Sequence, residues 1–132
     1  MPLYLNHLAV YGTLRKGQKR GFLEKIPDCK YQCEHVIPGR LWDLGPFPGY
    51  SKEHQLGERV VVSLYRLPKR KSNKLKTIES LDHIEGYLYN RESVMCDGVE
   101  AYIYVVRDWV TENAIQITPT NPADWVEWKK KG

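Results

Sequence analysis

Two short stretches of this chain put polar groups where chemistry needs them. The first is Tyr11-Gly12-Thr13-Leu14-Arg15. The apolar run Leu8-Ala9-Val10-Tyr11 reads as a buried strand, and Gly12 stops it. Such a turn points successive backbone N–H groups outward. Together they form a small anion-binding concavity, suited to a carboxylate or a developing oxyanion. Strand-to-glycine turns are more often plain structure, so the local pattern taken alone favours that reading over an anion site.

The second stretch is Leu81-Asp82-His83-Ile84-Glu85-Gly86-Tyr87. Glu85 falls at the C-terminal end of an expected helix, where the negative end of the dipole disfavours a carboxylate. Burial there would lift its pKa above the ordinary value of about 4.3, which is how a carboxylate becomes a useful general base. The other reading is a fraying helix end with Glu85 in water. Glu79 and Asp82 read as plain solvated charges.

Other chemistries lack their residues. The chain has no Gly-x-Ser-x-Gly elbow, no Walker loop, no dinucleotide fingerprint and no His-Glu-x-x-His. No serine sits at a strand-to-turn junction, and His7, His35, His54 and His83 are scattered. Cys29, Cys33 and His35 lack a second ligand pair, so no metal is expected. The odd count of three cysteines argues for buried or half-buried free thiols in a reducing compartment.

The elements that must position these groups can be read from periodicity. Strands are expected over residues 3–11, 31–37, 40–44 and 58–67, the last carrying Val60-Val61-Val62. Residues 15–20 read as loop and 21–26 as a short helix ended by Pro27. Gly45-Pro46-Phe47-Pro48-Gly49 reads as a stiff surface loop without regular structure. Ser72 looks like an N-cap for a helix of about three turns whose stripe is Leu75, Ile78 and Leu81, with Ile84 next and Gly86 as the stop. Asp97-Gly98 between two strand-like runs, 92–96 and 99–106, signals a hairpin. A short helical turn is expected over 124–128, with a frayed tail at 129–132. Roughly six or seven strands with few intervening helices imply an α+β protein. Its expected core is a mixed, mainly antiparallel sheet, closed into a barrel, with one or two helices packed on it.

Bulk properties bound the rest. At 132 residues the chain reads as one domain, 1–132, able to bury a core without disulfides. Its 42% hydrophobic content argues against disorder. The net charge of +4 sits largely in Lys69-Arg70-Lys71 and Lys129-Lys130-Lys131, without interleaved aromatics, so no nucleic acid is expected. No signal peptide and no run of about 18 apolar residues is visible, so no membrane is expected and the cytoplasm is the expected location.

Four features in order resemble the γ-glutamylcyclotransferase-like family, in the branch of small single-domain members similar to γ-glutamylamine cyclotransferase and AIG2-like proteins. Tyr11-Gly12-Thr13-Leu14 resembles the family's Tyr-Gly-Ser/Thr-Leu signature. Gly39-Arg40-Leu41-Trp42-Asp43-Leu44-Gly45 with Phe47-Pro48-Gly49 resembles its Gly-x-Leu-Tyr-x-x-Gly stretch and aromatic-Pro-Gly turn. Leu81-Asp82-x-x-Glu85-Gly86-Tyr87, then Tyr89-Asn90-Arg91, resembles its Leu-Asp-x-x-Glu-Gly segment and Tyr-x-Arg continuation. Ala101-Tyr102-Ile103-Tyr104 resembles its late strand. These motifs span about residues 8–106, and none covers the region after Trp109.

The resemblance implies a small mixed β-barrel and an enzyme that cyclises a γ-glutamyl group to 5-oxoproline, releasing an amine without cofactor or metal. It implies Glu85 as the acid–base residue and the Tyr11, Gly12, Thr13 and Leu14 turn as the substrate cradle. Pro48 and Gly49 would wall the pocket, and Tyr89 and Tyr104 would supply supporting hydroxyls. Its small-molecule partner would be a γ-glutamyl amine or peptide, and the protein would be a monomer or homodimer. Arg15, Lys16 and Gly17 depart from the glutathione-specific branch, where an apolar run follows the signature. Two other functions stand beside this one. One is a non-catalytic protein that binds a small anion in the Tyr11–Leu14 turn. The other is an interaction surface built on Trp109, Trp125 and Trp128, residues that could instead cover the barrel's open end.

Overall fold

Alternation along two strands decides the architecture. A computed structural model describes residues 5–12, 23, 26–54, 56–112, 114–117 and 122–131. In β1 (His7–Val10) and β7 (Val99–Val106), successive side chains enter two different apolar clusters. Ala9, Ala101, Ile103 and Val105 face one, with Tyr50, Val60 and Val62. Leu8, Val10, Tyr104 and Val106 face the other, with Ile78 and Leu81. Both faces of the central strands are buried, which is why these runs are apolar almost throughout.

The remaining strands are β2 (Lys30–Pro38), β3 (Arg40–Asp43), β4 (Pro48–Ser51), β5 (Arg59–Arg66), β6 (Tyr89–Cys96) and β8 (Ile115–Gln116). The eight form one curled sheet, a half-barrel in the order β2-β5-β1-β7-β4-β3-β8, with β6 on β7. β6 runs antiparallel along the full length of β7, from Tyr89↔Val106 to Cys96↔Val99. The opposite edge of β7 is forked. β1 pairs with it in parallel at Tyr102, and β4 pairs with it in parallel at Val105. The hairpin expected at Asp97-Gly98 is present, with φ of 53° and 80° at those residues.

α1 (Lys71–Glu85) lays Thr77, Ile78 and Leu81 against the second cluster. Full burial of Ile78 and Leu81 contributes about 2 kcal/mol each. The expected Ser72 cap is not used. Arg70 stands at the N-cap in an extended conformation with no side-chain cap, and its carbonyl accepts the Lys74 N–H at 2.9 Å. Buried Pro68 ends the preceding strand so close to the helix that the first turn closes ahead of Ser72. Gly86, at φ 69°, ends the helix as expected.

Three other expectations are corrected. Pro48 and Gly49 are not part of an irregular loop: they open β4 and are buried. Proline is tolerated at the first position of a strand, where no ladder donor is needed. Gly49 is required by close approach, since a Cβ there would lie 2.9 Å from Val106 Cβ and 3.2 Å from Leu44 Cδ1. Residues 129–131 are not a frayed tail but the last turn of α2 (Trp125–Lys131). Asp124 Oδ1 caps it by accepting the Val126 N–H at 2.9 Å, and Lys129 Nζ lies 4.8 Å from the centre of the Trp125 ring. Nor do Trp125 and Trp128 form an exposed surface. Trp125 is buried in the first cluster, and Trp128, packed on it, donates its indole N–H to Asp43 Oδ2 at 2.8 Å. Trp109 alone stays exposed, stacked on Tyr87 with centroids 6.1 Å apart.

The three cysteines are free. Cys29 and Cys96 are buried, and burial raises both thiol pKa values to about 11, while Cys33 is exposed. The expected helix at 21–26 lies largely outside the described residues, of which Leu23 is fully buried. No helix among the described residues is long and apolar enough to cross a membrane. The close β4–β7 packing sets a measurable expectation. Gly49→Ala forces Val106 or the strand to shift, and lowers stability by about 1–3 kcal/mol. The change should appear as a lower urea midpoint at constant m-value. An unchanged midpoint would show slack between the two strands.

Candidate active site

The end of β1, the start of β4 and the C-terminal end of α1 meet beside the fork in β7. Tyr11 directs its hydroxyl across that fork and donates to the Tyr104 carbonyl at 2.6 Å, within buried surroundings. The Tyr104 hydroxyl donates to Asp82 Oδ1 at 2.6 Å, and Arg91 Nη1 holds Asp82 Oδ2 at 2.9 Å. A chain of hydrogen bonds therefore links the β1 turn to the last turns of α1. Tyr89 joins a second link: its buried hydroxyl donates to the Pro48 carbonyl at 2.6 Å. The Pro48 ring in turn lies against Gly12, where a Cβ would sit 2.8 Å from both Cγ and Cδ. Any side chain at position 12 would push the two elements apart.

Glu85 is half-buried one helical turn beyond Asp82, on the same side of α1. The expected stripe at spacing three is corrected at its end. Ile84 is 41% exposed, and the inward position belongs to Glu85. The reason is the 3.6-residue period: positions 78, 81 and 85 share a face, whereas 78, 81 and 84 drift off it. The Glu85 charge is felt at both Tyr11 and Tyr104. Burial raises the Tyr11 phenol well above its ordinary pKa, with Tyr89 and then Glu85 adding to it. Burial also raises Tyr104, followed by the hydrogen bond to Asp82 and its charge, while Arg91 opposes and Glu85 adds. Both phenols thus stay neutral at neutral pH, Tyr11 donating to the Tyr104 carbonyl and Tyr104 to Asp82.

Six of the sequence-predicted partners of Glu85, namely Tyr11, Gly12, Pro48, Gly49, Tyr89 and Tyr104, belong to this one linked group. Thr13 and Leu14, the other half of the expected cradle, lie outside the described residues. Asp82 is not the plain solvated charge that the sequence suggested, since it receives both Tyr104 and Arg91. The sequence carried no signal for this, because the partners of Asp82 lie on β6 and β7 and spacing within one element does not report which strands will pack beside it. Phe47 was also missed as a packing partner. Its ring lies 6.4 Å from that of Tyr89, tilted by 56°, and supports the Pro48 turn. No group of three or more potential metal ligands occurs among the described residues.

Chemically, the arrangement offers a carboxylate beside neutral phenols, in a wall closed by Pro48. A carboxylate so placed can accept a proton from a bound ammonium and return it to a leaving nitrogen.

A family profile described as gamma-glutamyl cyclotransferase, AIG2-like, matches residues 8–127. The match runs past Trp109 into α2, beyond the last recognisable sequence motif. No curated relative matches the chain. Among solved structures, a uropathogenic E. coli-specific protein is similar at a TM-score of 0.78 and 22% identity, over 98% of this chain and 99% of that one. A protein from Pyrococcus horikoshii aligns at 0.67 and 22%, over 96% and 94%. An AIG2-like protein from Mus musculus aligns at 0.58 and 16%, over 78% of each chain. These likenesses show the fold.

The phenol network makes a pH prediction. Tyr11, Tyr50 and Tyr104 have raised folded-state pKa values, Tyr50 to about 12, with burial as the largest cause in each. A raised pKa contributes stability that is intact below the unfolded value, about 10, and is lost as pH rises toward the folded value. The urea midpoint should therefore fall steadily above about pH 10, and Tyr104→Phe should flatten that fall. A midpoint indifferent to pH up to about 11.5 would mean the phenols ionise freely in the fold.

Proposed function

This chain belongs to the gamma-glutamyl cyclotransferase, AIG2-like family, and we propose that it cyclises a γ-glutamyl amine or γ-glutamyl peptide to 5-oxoproline with release of the free amine. The observation that supports this best is Glu85, half-buried and within electrostatic reach of Tyr11 and Tyr104, beside the wall that Gly12 and Pro48 share.

The reaction needs little of the protein beyond positioning. Nucleophile and electrophile are two ends of one γ-glutamyl group, so holding it folded supplies most of the advantage. Glu85 takes a proton from the α-ammonium. The freed amine attacks the γ-carbonyl carbon and closes a five-membered ring. The carbonyl oxygen gains the negative charge, and the Tyr11-Gly12-Thr13-Leu14 signature is the stretch of sequence assigned to stabilise it through backbone N–H groups. Glu85 then gives its proton to the amide nitrogen, the carbon–nitrogen bond breaks, and Glu85 takes the ring nitrogen's second proton and passes it to the released amine, which leaves as an ammonium ion. Protons balance over the cycle, and no metal or cofactor enters the scheme.

Tyr104 and Arg91 serve through Asp82. By fixing that carboxylate they hold the last turns of α1 and so the direction of Glu85. Tyr89 and Phe47 hold the Pro48 wall.

The test is direct. The protein is incubated with a panel of γ-glutamyl amines and γ-glutamyl dipeptides, and 5-oxoproline is measured. Turnover is expected, and Glu85→Gln should lower it by about 10²-fold or more while the circular dichroism spectrum and melting temperature stay unchanged. A wild type silent on the whole panel would favour the non-catalytic anion-binding function. Full activity in the variant would remove Glu85 from the mechanism.

A further inference from the structure

The turn that carries Phe47 and Pro48 to the site has few bonds of its own. β3 ends at Asp43, β4 begins at Pro48, and those two residues face each other in the ladder. Within the turn, the Leu44 N–H donates to the Phe47 carbonyl at 3.1 Å. On its other edge β3 meets only the two-residue β8, at Trp42 and Asp43. Gly45 and Pro46 are exposed.

Further support comes from the far end of the chain. Asp43 Oδ1 accepts the Gly45 N–H at 2.8 Å, and Asp43 Oδ2 accepts the Trp128 indole N–H at 2.8 Å. The next residue of α2, Lys129, donates from Nζ to the Gly45 carbonyl at 2.7 Å. Two consecutive side chains of one helix therefore hold the start of the turn. Burial raises the Asp43 pKa, but the Trp128 and Gly45 hydrogen bonds and the Lys129 charge more than reverse that. Its carboxylate is thus an ionised acceptor, the stronger kind.

α2 is itself anchored. Trp125 is buried in the first apolar cluster. Ala123, just ahead of the helix, accepts the Val61 N–H at 2.9 Å and donates to the Arg59 carbonyl at 2.7 Å. The turn is therefore tied through α2 to β5, a strand separated from β4 in the sheet by β1 and β7.

We infer that Trp128 and Asp43 are positioning residues for the ring closure: α2 pins the β3–β4 turn to β5 and so sets where Phe47 and Pro48 stand against Tyr89 and Gly12. This rests on the cyclotransferase reading above. Both residues act through the turn, not on the reacting atoms. The wall they steady helps keep the γ-glutamyl group folded, and a misplacement of about 1 Å can cost about 10²-fold in rate. Loss of the Trp128–Asp43 bond therefore slows the chemical step more than it weakens binding.

The experiment compares the wild type with Trp128→Phe, which keeps a ring on the core without the donor, and with Asp43→Asn. On the γ-glutamyl substrate turned over fastest, kcat should fall about tenfold in each while KM stays within about twofold. The double variant should be no slower than the worse single, because the two side chains act through one bond. Val62→Ala, which lowers stability from inside the barrel core, should keep its kcat. An unchanged kcat in Trp128→Phe, a loss confined to KM, losses that multiply in the double variant, or an equal loss in Val62→Ala overturns the inference. Hydrogen exchange of the Leu44 amide is followed in parallel, without substrate. It should speed up about tenfold or more in Trp128→Phe while the β7 amides stay protected. If no substrate yields 5-oxoproline, that faster exchange upholds the tie between α2 and the turn, and only the reaction fails. Unchanged Leu44 exchange overturns the inference whatever the activity.

Discussion

The hydrogen bond from the Tyr11 hydroxyl to the Tyr104 carbonyl governs much of what surrounds it. β7 is shared along one edge by two parallel neighbours that cannot both occupy it, and the Tyr104 carbonyl lies between their points of pairing. Left alone, a buried carbonyl costs about 1–3 kcal/mol. The tyrosine at the end of β1 answers it, and in doing so fixes where β1 stops. The turn that follows must then leave the sheet beside β4, where Gly12 admits the Pro48 ring. One buried phenol thus sets the distance between the two backbone elements that border the site.

The opposite wall depends on electrostatics more than on packing. Asp82 is charged, more than a third exposed and at the negative end of a helix, a placement that local rules disfavour. Arg91 and Tyr104 compensate for it, one from β6 and one from β7. The Arg91–Asp82 pair is partly exposed, so its own contribution is modest, while Tyr104 is buried. Their value is geometric. Three elements converge on a single carboxylate, and Glu85 inherits its orientation from that convergence.

Much of the fold was legible because each strand carried its own pattern. Val60-Val61-Val62 announced β5, and Asp97-Gly98 announced the hairpin, since local backbone preferences agree with the final structure there. Pro48 misled for the opposite reason. Its propensity says loop, but position decides, because the first residue of a strand needs no donor. The tryptophans near the C-terminus misled similarly. A polar segment reads as surface until Asp43, far away in sequence, receives the Trp128 indole. Within the site, Glu85 and the Tyr11 turn were visible as types at the right spacing, whereas Asp82 was visible only as a charge. Its role comes from partners on two strands, and no periodicity reports which strands will be neighbours.

The forked edge of β7 also bears on the order in which the chain can acquire its shape. β1 meets β5 and β7, and the nearer of these is more than fifty residues downstream in every paired position. Leu8 pairs with Tyr102, so β1 is synthesised well before the partner on its second edge. Loop-closure entropy makes such distant pairings slow, and a strand awaiting its neighbours is exposed to wrong ones. Vectorial synthesis therefore lets β2 and β1 pair with β5 first, and leaves the other edge of β1 open until β7 is made. The Tyr11 phenol finds its carbonyl only when the hairpin has emerged, which makes the border of the site one of the latest features to form.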